Sequence, residues 1–169
     1  MTAAAVFWVT AAVALISTVL TVTGRNPVHA LLYLIVSLLA VALIFFLMGA
    51  PFAALLEVIV YAGAIMVLFV FVVMMLNLGD QAVANERQLL APRAWLGPAI
   101  LCAILLSQLW TLMHQGSMAA GGELSPVLRE VTAKEVGIAL YGPYLLAVEL
   151  ASMLLLGALV AAYHLGRNE

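Results

Sequence analysis

Charge is what this sequence has least of. Six of its 169 residues are Lys or Arg and eight are Asp or Glu, 8% together, where an ordinary soluble domain carries about 25%. So few charged side chains cannot coat a water-facing surface, while 67% of the residues are hydrophobic. The solvent that fits is the bilayer. A net charge of −2 argues against nucleic acid as a partner and leaves no polybasic patch for lipid headgroups. Cysteine is nearly absent: Cys102 is alone, so disulfides and thiolate metal sites are excluded, and it is expected to pack as a small hydrophobe. There is no phosphate-binding glycine loop and no nucleophile–base signature. No motif for nicotinamide, flavin or an iron–sulfur cluster is present. No internal repeat is visible, in particular no inverted pair of the kind that builds many secondary transporters. No cation precedes the first apolar run, so a cleaved signal peptide is not expected.

What is present is a set of five apolar stretches, at residues 3–22, 28–48, 52–76, 95–113 and 141–165. Each is long enough to cross a hydrocarbon core of about 30 Å, which takes roughly 20 helical residues. The expected fold is all-α, a polytopic integral membrane protein forming a single membrane domain over residues 1–169. Gly24 and Pro27 separate the first two stretches and Gly49 and Pro51 the next two, using residues that end helices to make antiparallel hairpins. The longest excursion into water is residues 115–140. There Ser125-Pro126 can start a short helix, and Thr132 with Glu135 has capping-box spacing. The helix it starts should be broken by Pro143 before the last span. Arg25, Arg87, Arg93 and Arg167 fall on one side of the membrane and Arg129 and Lys134 on the other. That bias places the N-terminus outside and the C-terminus in the cytoplasm.

Only Glu57 and Glu149 interrupt the transmembrane runs. A carboxylate in hydrocarbon costs on the order of 2.5–3.5 kcal/mol even on the lenient insertion scale, so both are first candidates for function. Counted from their helix starts they reach comparable depth and could form one polar layer, in which burial would favour protonation. Tyr61 stands one α-helical turn after Glu57 and can join its network. The run Ala62, Gly63, Ala64 permits close approach of another backbone, and glycine eases departures from regular winding. Residues 52–76 would extend about 36 Å as a straight helix, so the third span must tilt or deform, and a π-bulge is one such deformation. His29, His114 and His164 lie near helix ends and lack metal-ligand spacing. Tight packing alone accounts for most of these features.

The segments Glu57–Asn77, Asn26–Tyr33 and Gly142–Leu156 carry a more specific signal. The first resembles the third helix of the subunit J family of proton-pumping NADH:quinone oxidoreductase, respiratory complex I, and the others resemble that family's second and fifth helices. The resemblance covers nearly the whole chain, most closely to bacterial members, and is weakest over residues 115–131. It implies a multi-pass protein of the bacterial inner (cytoplasmic) membrane, a non-redox subunit of a translocase, packed among subunits A, H, K and N and membrane lipid. It also implies that this chain binds no cofactor, with FMN, iron–sulfur clusters and quinone on other subunits. In the family the third helix can switch between α-helix and π-bulge at the positions matching 61–67, opening or closing a water path. The Tyr-x-Gly-Ala pattern is intact here as Tyr61, Gly63 and Ala64. A bulge rotates later side chains by about 100°, so turning Met66, Val67 and Phe69 into or out of a gap could wet or dry it.

Two functions of different kind follow: an active gate for proton transfer, with Glu57, Tyr61, Gly63, Met66, Val67, Phe69 and Glu149 on its path, or a passive scaffold that seals neighbouring helices. A free-standing transporter fits poorly without repeats.

Overall fold

The computed structural model describes residues 3–24, 27–76, 92–119 and 131–167. Arg25, Arg87, Arg129, the 77–91 connection and the Ser125-Pro126 cap lie outside the described residues, as does the side chain of Arg93. Helix α1 is Ala3–Thr23 and α2 is Pro27–Leu47; the third span is α3, Pro51–Leu56, then a π-helix, Glu57–Ile65, then α4, Met66–Leu76. Helix α5 is Pro92–Ala119, α6 is Ala133–Tyr141 and α7 is Leu145–Gly166. Among the described residues there is no strand. Five helices are long and apolar enough to cross a membrane, the third over Pro51–Met75. The all-α, five-span architecture expected from hydropathy is therefore the one observed.

The chain forms two compact units, Met1–Glu130 and Val131–Glu169. In the first, Val13, Val36, Ala40, Leu43 and Leu105 make the buried core, from α1, α2 and α5. On α1 the buried positions Val6, Thr10, Val13 and Ser17 recur every three or four residues, one helical stripe. Two of the four are hydroxyls, and each donates back to a carbonyl four residues earlier, Thr10 Oγ1 to Val6 O at 2.8 Å and Ser17 Oγ to Val13 O. That satisfies the proton of each without bulk solvent. The α1–α2 hairpin is also joined through side chains: Thr18 Oγ1 and Ser37 Oγ are 2.8 Å apart.

The turn after α2 explains Gly49. Gly49 N–H donates to Phe46 O and Ala50 N–H to Phe45 O, the paired closure of a helix C-terminus that puts its glycine in the left-handed region. Its φ is 81°. Pro51 then opens α3 at a position where a missing N–H costs nothing. Helix α5 begins before Trp95 and runs past Met113, farther than the apolar run alone, with Pro98 inside it. In the second unit Thr132 caps α6 as its spacing predicted: Glu135 N–H donates to Thr132 Oγ1, and the Glu135 side chain accepts from Thr132 N–H. Helix α6 stops at Tyr141, and Gly142 fits there because a Cβ would lie 2.7 Å from Ile138 O. The last span starts only at Leu145, later than the apolar pattern suggested, because residues 142–144 form the turn.

Candidate functional site

The third span changes winding twice. Glu57 N–H still bonds to the carbonyls of Ala53 and Ala54, four and three residues back. At the other end Met66 N–H reaches Tyr61 O, five residues back. Between them the backbone is π-helix over Glu57–Ile65, nine residues. The family resemblance implied an irregularity at 61–67; it begins earlier, at Glu57, and Met66 and Val67 already belong to regular α-helix. Winding of this kind is rare and tends to mark functional positions.

Gly63 sits where a side chain would be crowded. A Cβ there would lie 3.1 Å from Val58 O, again a residue five back in sequence. Glycine relieves the crowding but also lowers intrinsic helix preference by about 1 kcal/mol against alanine. The same residue thus leaves room for π-winding at a cost in helix preference.

The wider turn also moves the candidate side chains. In an α-helix Tyr61 would stack over Glu57, but here the residue one π-turn on is Ala62. Ala62 is 8% exposed and Met66 4%, so with Ala54 they form the buried edge of the span. Glu57 is half-buried, whereas Tyr61, Val67 and Phe69 are exposed, at 52%, 61% and 53%. Met66 is therefore the member of the proposed gating set that packs inside this chain. Among the described residues, the carboxylate of Glu57 takes part in no ion pair or side-chain hydrogen bond. Glu149 lies in the other unit, on α7, a helix none of whose residues is buried; Ser152 Oγ donates to its backbone carbonyl at 2.7 Å.

A cavity of about 420 Å³ borders the start of this span, lined by Leu39, Phe46, Ala54, Val58, Cys102 and Leu106 among others. Its walls are apolar, so water would find too few hydrogen-bonding partners in it. Cys102 lines it as a small hydrophobe, half-buried. His29 is half-buried and His164 exposed, each near a helix end. His114 packs edge-on against Trp110, with ring centroids 4.4 Å apart. Among the described residues no three His, Cys, Asp or Glu are grouped so as to hold a metal ion.

Two polar features were not singled out from the sequence. Gln108 is 6% exposed inside α5, and its Oε1 has no hydrogen-bond partner. It carries no charge, so a search for ionisable groups within apolar runs passes over it. Tyr33 packs its hydroxyl against Gly97, an approach that only a residue without Cβ allows.

Comparison with known proteins gives this geometry a setting. Residues 17–165 match the family described as NADH-ubiquinone/plastoquinone oxidoreductase chain 6. The NADH-quinone oxidoreductase subunit J of Pseudomonas aeruginosa is 59% identical over 164 residues, 96% of this chain and 96% of that one. The protein of the same name from Escherichia coli K12 is 54% identical, covering 96% of this chain and 86% of that one. That from Rhodobacter capsulatus is 37% identical over 92% of this chain and 77% of its own length. With matches of this extent joined to five apolar helices, the chain belongs to the chain 6 family, that of the subunit J proteins of NADH-quinone oxidoreductase.

Proposed function

We propose that this chain works as a non-redox membrane subunit of a proton-translocating NADH:quinone oxidoreductase, and that its third span gates a water path. Its partners are other membrane subunits of the complex, A, H, K and N, together with lipid. FMN, iron–sulfur clusters and quinone belong to the remaining subunits and none to this one. The setting is the bacterial inner membrane, crossed five times as a single membrane domain, with the N-terminus outside and the C-terminus cytoplasmic.

The observation that carries the gating reading is the nine-residue π-helix in the middle of an apolar span. Releasing it to α-helix would turn the side chains beyond it relative to those before it by about 100° per residue of offset. Met66, Val67 and Phe69 follow the segment directly, so they swing together. Met66 moving out of its buried seat would open space on the inner side, and apolar walls that narrow or widen wet and dry a path without binding a proton. Glu57 and Tyr61, at the start and middle of the segment, are the groups such water would meet, and Glu149 is the ionisable group of the fifth span.

The competing reading is a passive seal. It is favoured by the many large hydrophobic side chains exposed along α4 and α7, which suit packing against other subunits. Substituting Gly63→Val in the assembled complex separates the two. A β-branched side chain against Val58 O disfavours the π form, so gating requires proton pumping to fall while assembly and NADH oxidation persist. Pumping that stays intact with the complex assembled removes the gate and leaves the seal.

A further inference from the structure

The orphaned oxygen of Gln108 lies in the best-packed part of the molecule. On α5 it shares a stripe with Leu101, Ile104, Leu105 and Leu112, all of which pack in the α1–α2–α5 core. An unmet buried acceptor is destabilising, and no bulk water reaches the bilayer interior to offset it. A donor is required.

Helix register indicates what faces it. Helices α1 and α2 are antiparallel, tied by Thr18 and Ser37, while α2 and α5 run parallel, Tyr33 meeting Gly97 at one end and Ala40 and Leu43 meeting Leu105 farther on. Helix α1 is therefore antiparallel to α5, with Val13 and Leu105 in one cluster. Three residues back from Val13 is Thr10, and three forward from Leu105 is Gln108, each about 4.5 Å along its axis. The two polar residues come to one level, and both are turned inward, Thr10 with no exposed surface.

With the Gln108 amide as it stands, its oxygen buried, the two side chains do not complement each other. The Thr10 hydroxyl donates its proton to Val6 O at 2.8 Å, so toward the core it can only accept, and Gln108 Oε1 can only accept as well. Two acceptors on one level need a group with two donors, and water is the smallest. We propose that Thr10 and Gln108 hold one buried water molecule between α1, α2 and α5, donating one O–H to Gln108 Oε1 and the other to Thr10 Oγ1. The water joins α1 and α5, and it stands apart from the π segment, so it does not depend on the gating reading.

The test is a map of the assembled membrane complex at a resolution that shows ordered water. Density within about 3 Å of both Gln108 Oε1 and Thr10 Oγ1 is the expected result. A dry contact, or an amide turned so that its nitrogen meets Thr10 directly, overturns the proposal. Melting of the complex gives a second reading. Gln108→Met and Thr10→Val should each lower the melting temperature, with the double variant falling no further than the worse single one, because either change releases the same water. A Gln108→Met complex that melts at or above the unaltered temperature, or effects that simply add, would show two independent side chains.

Discussion

The backbone N–H of Met66 donates to the carbonyl oxygen of Tyr61, where a regular α-helix would have used Ala62. The pair marks the end of the π segment, and Gly63, between them, is the residue whose missing side chain keeps Val58 O clear. The wide winding and the glycine are one feature.

From this follows an opposition between stability and activity at Gly63. Alanine gains about 1 kcal/mol of helix preference over glycine and would crowd Val58 O in the π form. The crowding disfavours the π form, while the propensity gain supports the helix in either winding. The Gly63→Ala complex should melt no lower than the unaltered one while pumping fewer protons per NADH oxidised, and less severely than Gly63→Val. Proton uptake and NADH oxidation measured on the same proteoliposomes check it.

Met66 offers a second probe of the same switch. It is 4% exposed while its neighbour Val67 is 61% exposed, so changes at these adjacent positions should differ in kind. Met66→Ala removes buried volume and should cost about 2–5 kcal/mol of packing, seen as a lower melting temperature. Val67→Ala should leave packing within this chain unchanged, and any effect on assembly then reports a neighbouring subunit. Equal losses of melting temperature at both sites, in complexes that assemble equally, would contradict the burial pattern.

The spans were legible in the sequence because hydropathy in a bilayer leaves little choice: a run of about 20 apolar residues must satisfy its own backbone, and the helix does so. The Thr132–Glu135 cap and the Gly49 turn were legible for a similar reason, since each depends on a few residues in fixed order. The exact π segment was not. Its start at Glu57 rather than Tyr61 depends on where the i→i+5 ladder takes over, and no residue type encodes that; Gly63 signals only that it is permitted. The seam between Thr18 and Ser37 was hidden too, because nothing in the sequence pairs two hydroxyls until the helices are placed side by side.

The seam yields its own prediction. Thr18 and Ser37 are joined at 2.8 Å across the first hairpin, and such bonds in membranes average about 0.6 kcal/mol. Ser37→Ala and Thr18→Val should each weaken the hairpin modestly, and the double variant should cost less than the sum of the two. Strict additivity in melting or in denaturant titration would mean the hydroxyls act independently.

At the α2–α5 contact the expected effect is larger. A methyl group added at Gly97 would collide with the hydroxyl of Tyr33, with the ring carbons Cζ and Cε1 next, at 3.2 and 3.5 Å. Overpacking of this kind costs about 1–3 kcal/mol, and here it would pry apart the two helices that carry Ala40 and Leu105 into the core. Gly97→Ala should therefore lower complex stability or yield. Tyr33→Phe removes the colliding atom and leaves only contacts that a small shift can absorb, so adding it to Gly97→Ala should recover much of the loss. The recovery distinguishes a local clash from a general need for glycine in the first turns of α5, which would leave the double variant as unstable as Gly97→Ala alone.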